Sequence, residues 1–189
     1  MQKLFLIRHG KPAAVWGEAD EDPGLDDAGR AQAEAARDLL LSLPEDQRPL
    51  RVVSSPLRRC RETAAPTAAA LGVEVEIDPG VGEIPTPADL TAEDRPGWLR
   101  EVFQGRWSEI RGDLDYEAWR RRAADSLLGR GRTAVFSHYV AINAVMSVLA
   151  EEERVLVFRP DHASITTLAT DGRSLSLVER GREASTGVL

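Results

Sequence analysis

The sequence predicts an α/β fold of three layers, with a central, mostly parallel sheet flanked by helices on both faces. Two observations carry this. Short apolar runs alternate with helical patterns along most of the 189 residues, the arrangement expected of βαβ units. The first run, Leu4–Ile7, is continuously apolar, as in a strand buried on both faces. In such sheets the ligand crevice lies at the carboxyl ends of the strands, so the residues just after each run carry most of the functional information.

Lys3–Arg8 reads as a buried strand, followed by a loop of roughly twenty residues. Asp26 or Asp27 can cap the first helix. Its apolar face is expected at Ala28, Ala35, Leu39 and Leu43. Leu50–Ser54 is a second strand. Pro56-Leu57 opens a second helix, because proline in the first turn loses no hydrogen bond. Pro66 should interrupt and kink that helix, and Gly72 should stop it. Val73–Ile77 alternates apolar and acidic residues, as at a sheet edge.

From Asp78 to Gly112 the pattern weakens, and the segment reads as a lid-like excursion with a helical piece near Trp98–Phe103. Tyr116, Trp119, Ala123 and Leu127 mark an amphipathic helix that ends at Gly129–Gly131. Thr133–Ser137 is a fourth strand, and Tyr139–Leu149 is a helix apolar on most sides, hence central. Val155–Phe158, Ser164–Thr170 and Ser174–Val178 read as further strands, the last two joined by the hairpin signal Asp171-Gly172. No repeat or linker divides residues 1–189, so a single domain is expected.

Composition narrows the function. Apolar residues make up 42% and charged residues 29%, ordinary for a soluble globular chain. A net charge of −7 argues against nucleic acid or an anionic membrane as a partner. One cysteine, Cys60, excludes an internal disulfide and fits a reducing compartment. The first apolar run is too short for a signal peptide or a membrane span, so a cytoplasmic location is expected.

Three segments place polar residues at strand ends: Arg8-His9-Gly10, Ser54-Ser55-Pro56-Leu57-Arg58 and Ser137-His138. An isolated Arg-His pair is ordinarily surface decoration, and a lone strand-end histidine is ordinarily a core or capping residue. Here two of only three histidines occupy equivalent strand ends beside cations. Two imidazoles and two guanidiniums converging on one crevice suit a tetrahedral dianion, because the arginine fork matches phosphate oxygens. The helix after His138 adds its free N–H groups and dipole.

Arg8-His9-Gly10 after a first strand resembles the Arg-His-Gly motif of the histidine phosphatase superfamily, which includes the cofactor-dependent phosphoglycerate mutases. Asp22-Pro23-Gly24-Leu25 with Gly29-Arg30-Ala31-Gln32-Ala33, the run Ser54–Ala64, Ser137-His138 and Ala163-Ser164-Ile165-Thr166 resemble its later motifs, in the expected order. The resemblance implies that His9 takes the phosphoryl group. It implies that Arg8, Arg58 and His138 hold the equatorial oxygens, and that Glu83, after the third strand, protonates the leaving oxygen. Gly10, Lys11, Tyr139 and His162, beside these residues, are expected along the substrate. No metal and no cofactor are expected, and the partner is a small phosphate ester.

The chemistry is self-consistent. A neutral imidazole is a good nucleophile near pH 7, and a phosphohistidine splits one displacement into two. An alkoxide leaving group calls for a carboxylic acid, and Ile84-Pro85 beside Glu83 could give it an apolar setting. Departures from the family bear on specificity: Lys11-Pro12 where an acid or amide followed by Ser or Thr is common, Tyr139 where Gly is common, and His162 before Ala163 where Asn is frequent.

Other phosphatase chemistries fail on the sequence. Six positions beyond Cys60 stands Pro66, so there is no Cys-x5-Arg loop. Asp20 and Asp22 follow no strand, and no Walker loop is present. The loop 17–27 carries six acids and no base, which would discourage a bisphosphate. Arg95, Arg100, Arg106 and Arg111, with Trp98, Phe103 and Trp107, could grip a leaving group or simply form a satellite core. The expected activity is a metal-independent phosphomonoesterase. The alternatives are a phosphoglycerate mutase-type transferase and a non-catalytic phosphate-binding domain.

Overall fold

The computed structural model describes residues 1–14 and 22–185. The expectations for Gly17–Glu21, including Asp20, lie outside the described residues.

Six strands form one sheet in the order β3-β2-β4-β1-β5-β6. They are β1 (Gln2–Arg8), β2 (Arg51–Ser54), β3 (Val75–Ile77), β4 (Thr133–Ser137), β5 (Ile165–Thr170) and β6 (Leu175–Glu179). The pairings β1–β4, β2–β4 and β2–β3 are parallel. β5 and β6 add an antiparallel edge. The helices are α1 (Asp27–Ser42), α2 (Arg58–Leu71), α3 (Arg95–Gln104), α4 (Tyr116–Asp125) and α5 (Tyr139–Leu149).

β1 shows why the sheet lies between two helical layers. Phe5 and Ile7 pack with Leu40 of α1 and Cys60, Ala64 and Ala68 of α2. Leu4 and Leu6 pack on the other face with Ala124 of α4 and Ile142, Val145 and Met146 of α5. Alternate side chains of a strand point to opposite faces, so an unbroken apolar run fills both cores.

The caps follow the sequence logic. Asp26 caps α1, its carboxylate accepting from Gly29 N at 2.7 Å. Gly72 ends α2 in the left-handed region, at φ 68°. Gly172 (φ 88°) turns the β5–β6 hairpin, where the Asp171 carboxylate accepts from Arg173 N and Ser174 N. Against the expectation that Pro66 interrupts α2, the helix runs unbroken through it from Arg58 to Leu71.

Two further expectations are corrected. The buried face of α1 is Gly29, Ala33, Ala36 and Leu40, while Leu39 is 60% exposed. The phase is set by close approach, because a Cβ on Gly29 would stand 2.1 Å from the Lys11 carbonyl oxygen. Val155–Phe158 is not a strand. Asn143 of α5 is buried, and its side-chain oxygen accepts from Val157 N (2.9 Å) and Phe158 N (3.1 Å). Those N–H groups are thereby satisfied without a sheet partner.

The excursion beyond β3 is packed. Ile84, Trp98, Leu99, Val102 and Trp107 form one cluster with Tyr116, Ala123, Tyr139, Val140 and Ala144. Its tryptophans therefore serve as the satellite core, lying against α4 and α5.

Candidate active site

His9 follows the last residue of β1, and His138 follows the last residue of β4. The two strands are parallel neighbours, with Arg8 opposite Ser137. The two imidazoles therefore meet, their ring centres 5.3 Å apart and nearly edge-to-face. Both are buried, at 6% and 0% exposure.

The tautomer of His9 is fixed. Its Nδ1 lies 2.7 Å from the Gly10 carbonyl oxygen, which can only accept, so Nδ1 carries the proton and Nε2 keeps its lone pair. Burial holds the His9 imidazole well below its ordinary pKa, and His138, Arg59 and Arg8 add to this. His138 is likewise held low, by burial and then by Arg59, Arg95 and Arg8. Both rings are neutral at pH 7, the form that a nucleophile requires. Gly10 N donates to Thr63 Oγ1 at 2.9 Å, which pins the loop after His9 to α2.

The arginine that reaches the histidines from α2 is Arg59, not the expected Arg58. Arg59 is 3% exposed, and its Nη2 lies 3.3 Å from His138 Nδ1. A guanidinium only donates, so Nδ1 accepts, and His138 Nε2 donates to Ser55 Oγ at 2.7 Å. Arg58 sits one residue earlier, a rotation of about 100° on a helix. Its Nε donates to Glu62 Oε1 at 2.7 Å, with more than half of the side chain exposed. Its backbone N–H donates to the carboxylate of Asp22. The sequence held a signal for the correct phase: Arg59, Thr63 and Thr67 share a helical face, and all are buried.

The remaining residues fall as follows. Arg8 is buried, and burial lowers its pKa to about 10, so it stays a cation. Its Nη1 donates to Pro160 O and its Nη2 to His162 Nε2, both at 3.0 Å. The guanidinium lies 5.0 Å from the centre of the Tyr139 ring, which packs on Phe103. The His162 ring centre is 5.9 Å from that of His9. Glu83 accepts from Ile84 N at 2.9 Å and, at 3.5 Å, from Val140 N at the start of α5. It thus occupies the helix end that His138 leaves without a side-chain cap. Lys11 turns away to Asp26, at 2.6 Å.

Besides Arg59, two further groups take places that the sequence reading did not give them. Ser55 orients His138. Arg95, at the start of α3, is buried and donates to Ile84 O at 3.1 Å, and its charge bears on both Glu83 and His138. Cys60 lies 3.3 Å from His138 Nε2. Burial pushes its thiol upward, so it is an inert packing group rather than a nucleophile.

The assembly is a cationic, largely desolvated recess at the carboxyl ends of β1, β2 and β4. Among the described residues it brings together the His9 imidazole lone pair, the guanidiniums of Arg8, Arg59 and Arg95, the Glu83 carboxylate and the start of α5. In this environment a dianion can be held and a nitrogen nucleophile presented to it.

The chain is similar to several known proteins. An uncharacterized protein of Mycobacterium tuberculosis is 34% identical over 128 residues, 59% of this chain and 60% of that one. The chain therefore matches less than two thirds of that relative's length. Among solved structures, a mycobacterial glucosyl-3-phosphoglycerate phosphatase superposes with a TM-score of 0.71 at 23% identity, covering 97% of this chain and 100% of that one. A phosphoserine phosphatase from Entamoeba histolytica, in complex with 3-phosphoglyceric acid, gives 0.72 at 24%, covering 96% and 98%. The sequence pattern of the histidine phosphatase superfamily (branch 1) matches residues 4–182, and the chain belongs to that superfamily.

Proposed function

We propose that the protein hydrolyses a small phosphomonoester through a phosphohistidine at His9. The observation that carries this is the His9 imidazole, with Nδ1–H tied to Gly10 O and Nε2 unprotonated beside the guanidiniums of Arg8 and Arg59. In the first step Nε2 attacks phosphorus, the bond to the leaving oxygen breaks, and Glu83 gives that oxygen its proton. In the second step Glu83 takes a proton from water, the water oxygen attacks phosphorus, and the bond to His9 breaks. Arg8, Arg59 and His138 hold the oxygens, so that charge is stabilised where it develops.

The two named structural relatives are phosphatases of small phosphate esters, which supports a small-molecule substrate. Gly10 supplies backbone, and Tyr139 with Phe103 walls the leaving-group side. Lys11, paired with Asp26, takes no part. The excursion packs on α4 and α5, and we take residues 1–189 as one catalytic unit. Among the described residues no helix is long and apolar enough to cross a membrane. With a single buried cysteine, a reducing, cytoplasmic setting is the favoured location.

The test is incubation with p-nitrophenyl phosphate under a chelator, and separately with 3-phosphoglycerate. Free phosphate and an acid-labile phosphoenzyme are expected. Isomerisation without release would mean a mutase, and silence with both would mean a phosphate-binding domain.

A further inference from the structure

We infer that His162 is a positioning residue, which holds the Arg8 guanidinium in the orientation that meets the phosphoryl group. The inference rests on the phosphatase reading above and extends it to a residue outside the strand-end motifs.

Arg8 is buried and its fork is committed. One terminal nitrogen donates to Pro160 O and the other to His162 Nε2. Its Nε is buried and has no hydrogen-bond partner, an arrangement that costs free energy unless a ligand satisfies it. A phosphoryl oxygen on His9 would supply that acceptor.

The loop that carries His162 is fastened from several sides. Asp161 N donates to Arg182 O, Ser164 N to Asp161 O, and Ala163 N to His9 O at 3.3 Å. The Asp161 carboxylate accepts from His162 N and pairs with Arg182. Ala163 has a positive φ of 53°, a conformation that strains a non-glycine residue and persists only where its surroundings hold it. This tied turn brings the imidazole to Arg8 and within 5.9 Å of the His9 ring.

The role requires His162 to accept, so its ring must be neutral at Nε2. The charged groups around it are Arg8 and Lys11 from β1 and the loop after it, Asp26 at the cap of α1, and Asp161 on its own loop. Burial and then Arg8 lower its pKa to about 4. Above that pH the ring accepts from Arg8. Below it, a proton on Nε2 replaces the acceptor with a second cation 3.0 Å from the guanidinium, and Arg8 is released.

The experiment compares His162→Leu, His162→Ala and His162→Gln with the wild type, each checked by circular dichroism. Two quantities are read: orthovanadate affinity, and kcat and KM for p-nitrophenyl phosphate across pH. Leu and Ala should lower kcat and vanadate affinity roughly ten- to a hundred-fold, with little change in KM, as expected for a misplaced group. Gln, whose side-chain oxygen can accept from Arg8, should recover most of both and abolish the activity loss near pH 4. Unchanged vanadate affinity in Leu and Ala would overturn the inference. So would a Gln variant as weak as Leu, which would mean that the ring contacts substrate itself. If the wild type released no phosphate from any ester, the phosphatase reading would fall. The vanadate comparison would still decide whether His162 orients Arg8.

Discussion

The ends of β1 and β4 and the helix pair α1–α2 both shape the recess, yet they respond differently to a one-residue error. β1 is apolar on both faces, so no choice of phase is needed to see that it is buried. His9 and His138 then follow directly from where their strands stop. A helix rotates about 100° per residue, so a slip of one exchanges the inside for the outside. That slip occurs twice. In α1 the expected face of Ala28, Ala35, Leu39 and Leu43 gives way to Gly29, Ala33, Ala36 and Leu40. In α2 Arg58 points to Glu62, while Arg59 reaches His138. Groups at strand ends can be placed by position alone, whereas groups on helices need the packing partner.

The largest effect is expected at the strand ends. His9→Ala should reduce turnover to background while leaving far-UV circular dichroism unchanged. Substantial residual turnover would remove the strand end from the chemistry. The next largest effect is expected at Glu83. Glu83→Gln should slow an alkyl phosphate by roughly 10²–10⁴, the usual contribution of general acid–base catalysis. p-Nitrophenolate leaves without a proton, so its ester should be affected much less. Equal losses on both esters would make Glu83 a cap for α5 and nothing more.

The helix side is sharpened by a pair of neighbours. Arg59→Gln should cost about 10²–10³ in kcat/KM, typical of losing one preorganised donor. Arg58→Gln should stay within a few-fold, because its guanidinium is engaged by Glu62. The opposite ranking, with both variants folded, would return the role to Arg58.

What was legible in the sequence follows the same division. The bounds of β4 and α5, the Asp26 cap, the Gly72 stop and the Asp171-Gly172 hairpin depend on local signals, and the sequence carries them in a few adjacent residues. Val155–Phe158 has the apolar run of a strand. The N–H groups of Val157 and Phe158 are claimed by Asn143, a side chain more than ten positions away in sequence, and that of Val155 by Gly105 O. Ser55 reads as an ordinary turn serine until β4 brings His138 to within 2.7 Å of it. Arg95 reads as a lid cation until Ile84 O is found beneath it. Long-range pairing decides each of these, and composition and periodicity do not record it.

The smallest effect tests the helix phase by its sign. Gly29 lies in the first turn of α1, where replacement by alanine would ordinarily stabilise a helix, by up to roughly 1 kcal/mol. Had the buried face been Ala28, Ala35, Leu39 and Leu43, Gly29→Ala would show that gain. In the structure, a Cβ at this position stands 2.1 Å from Lys11 O and 2.9 Å from Lys11 N. Both are backbone atoms, in the loop that runs directly from His9. Overpacking of this kind typically costs about 1–3 kcal/mol, so packing should outweigh propensity and Gly29→Ala should lower the thermal midpoint. The displaced loop also carries Gly10, whose carbonyl fixes the His9 tautomer, so kcat should fall along with stability. A companion pair removes the special case of glycine: Ala36→Leu enters the core and should destabilise, whereas Ala35→Leu faces solvent and should not. A rise in midpoint for Gly29→Ala, or an equal response from Ala35 and Ala36, would mean that α1 is rotated from the orientation described.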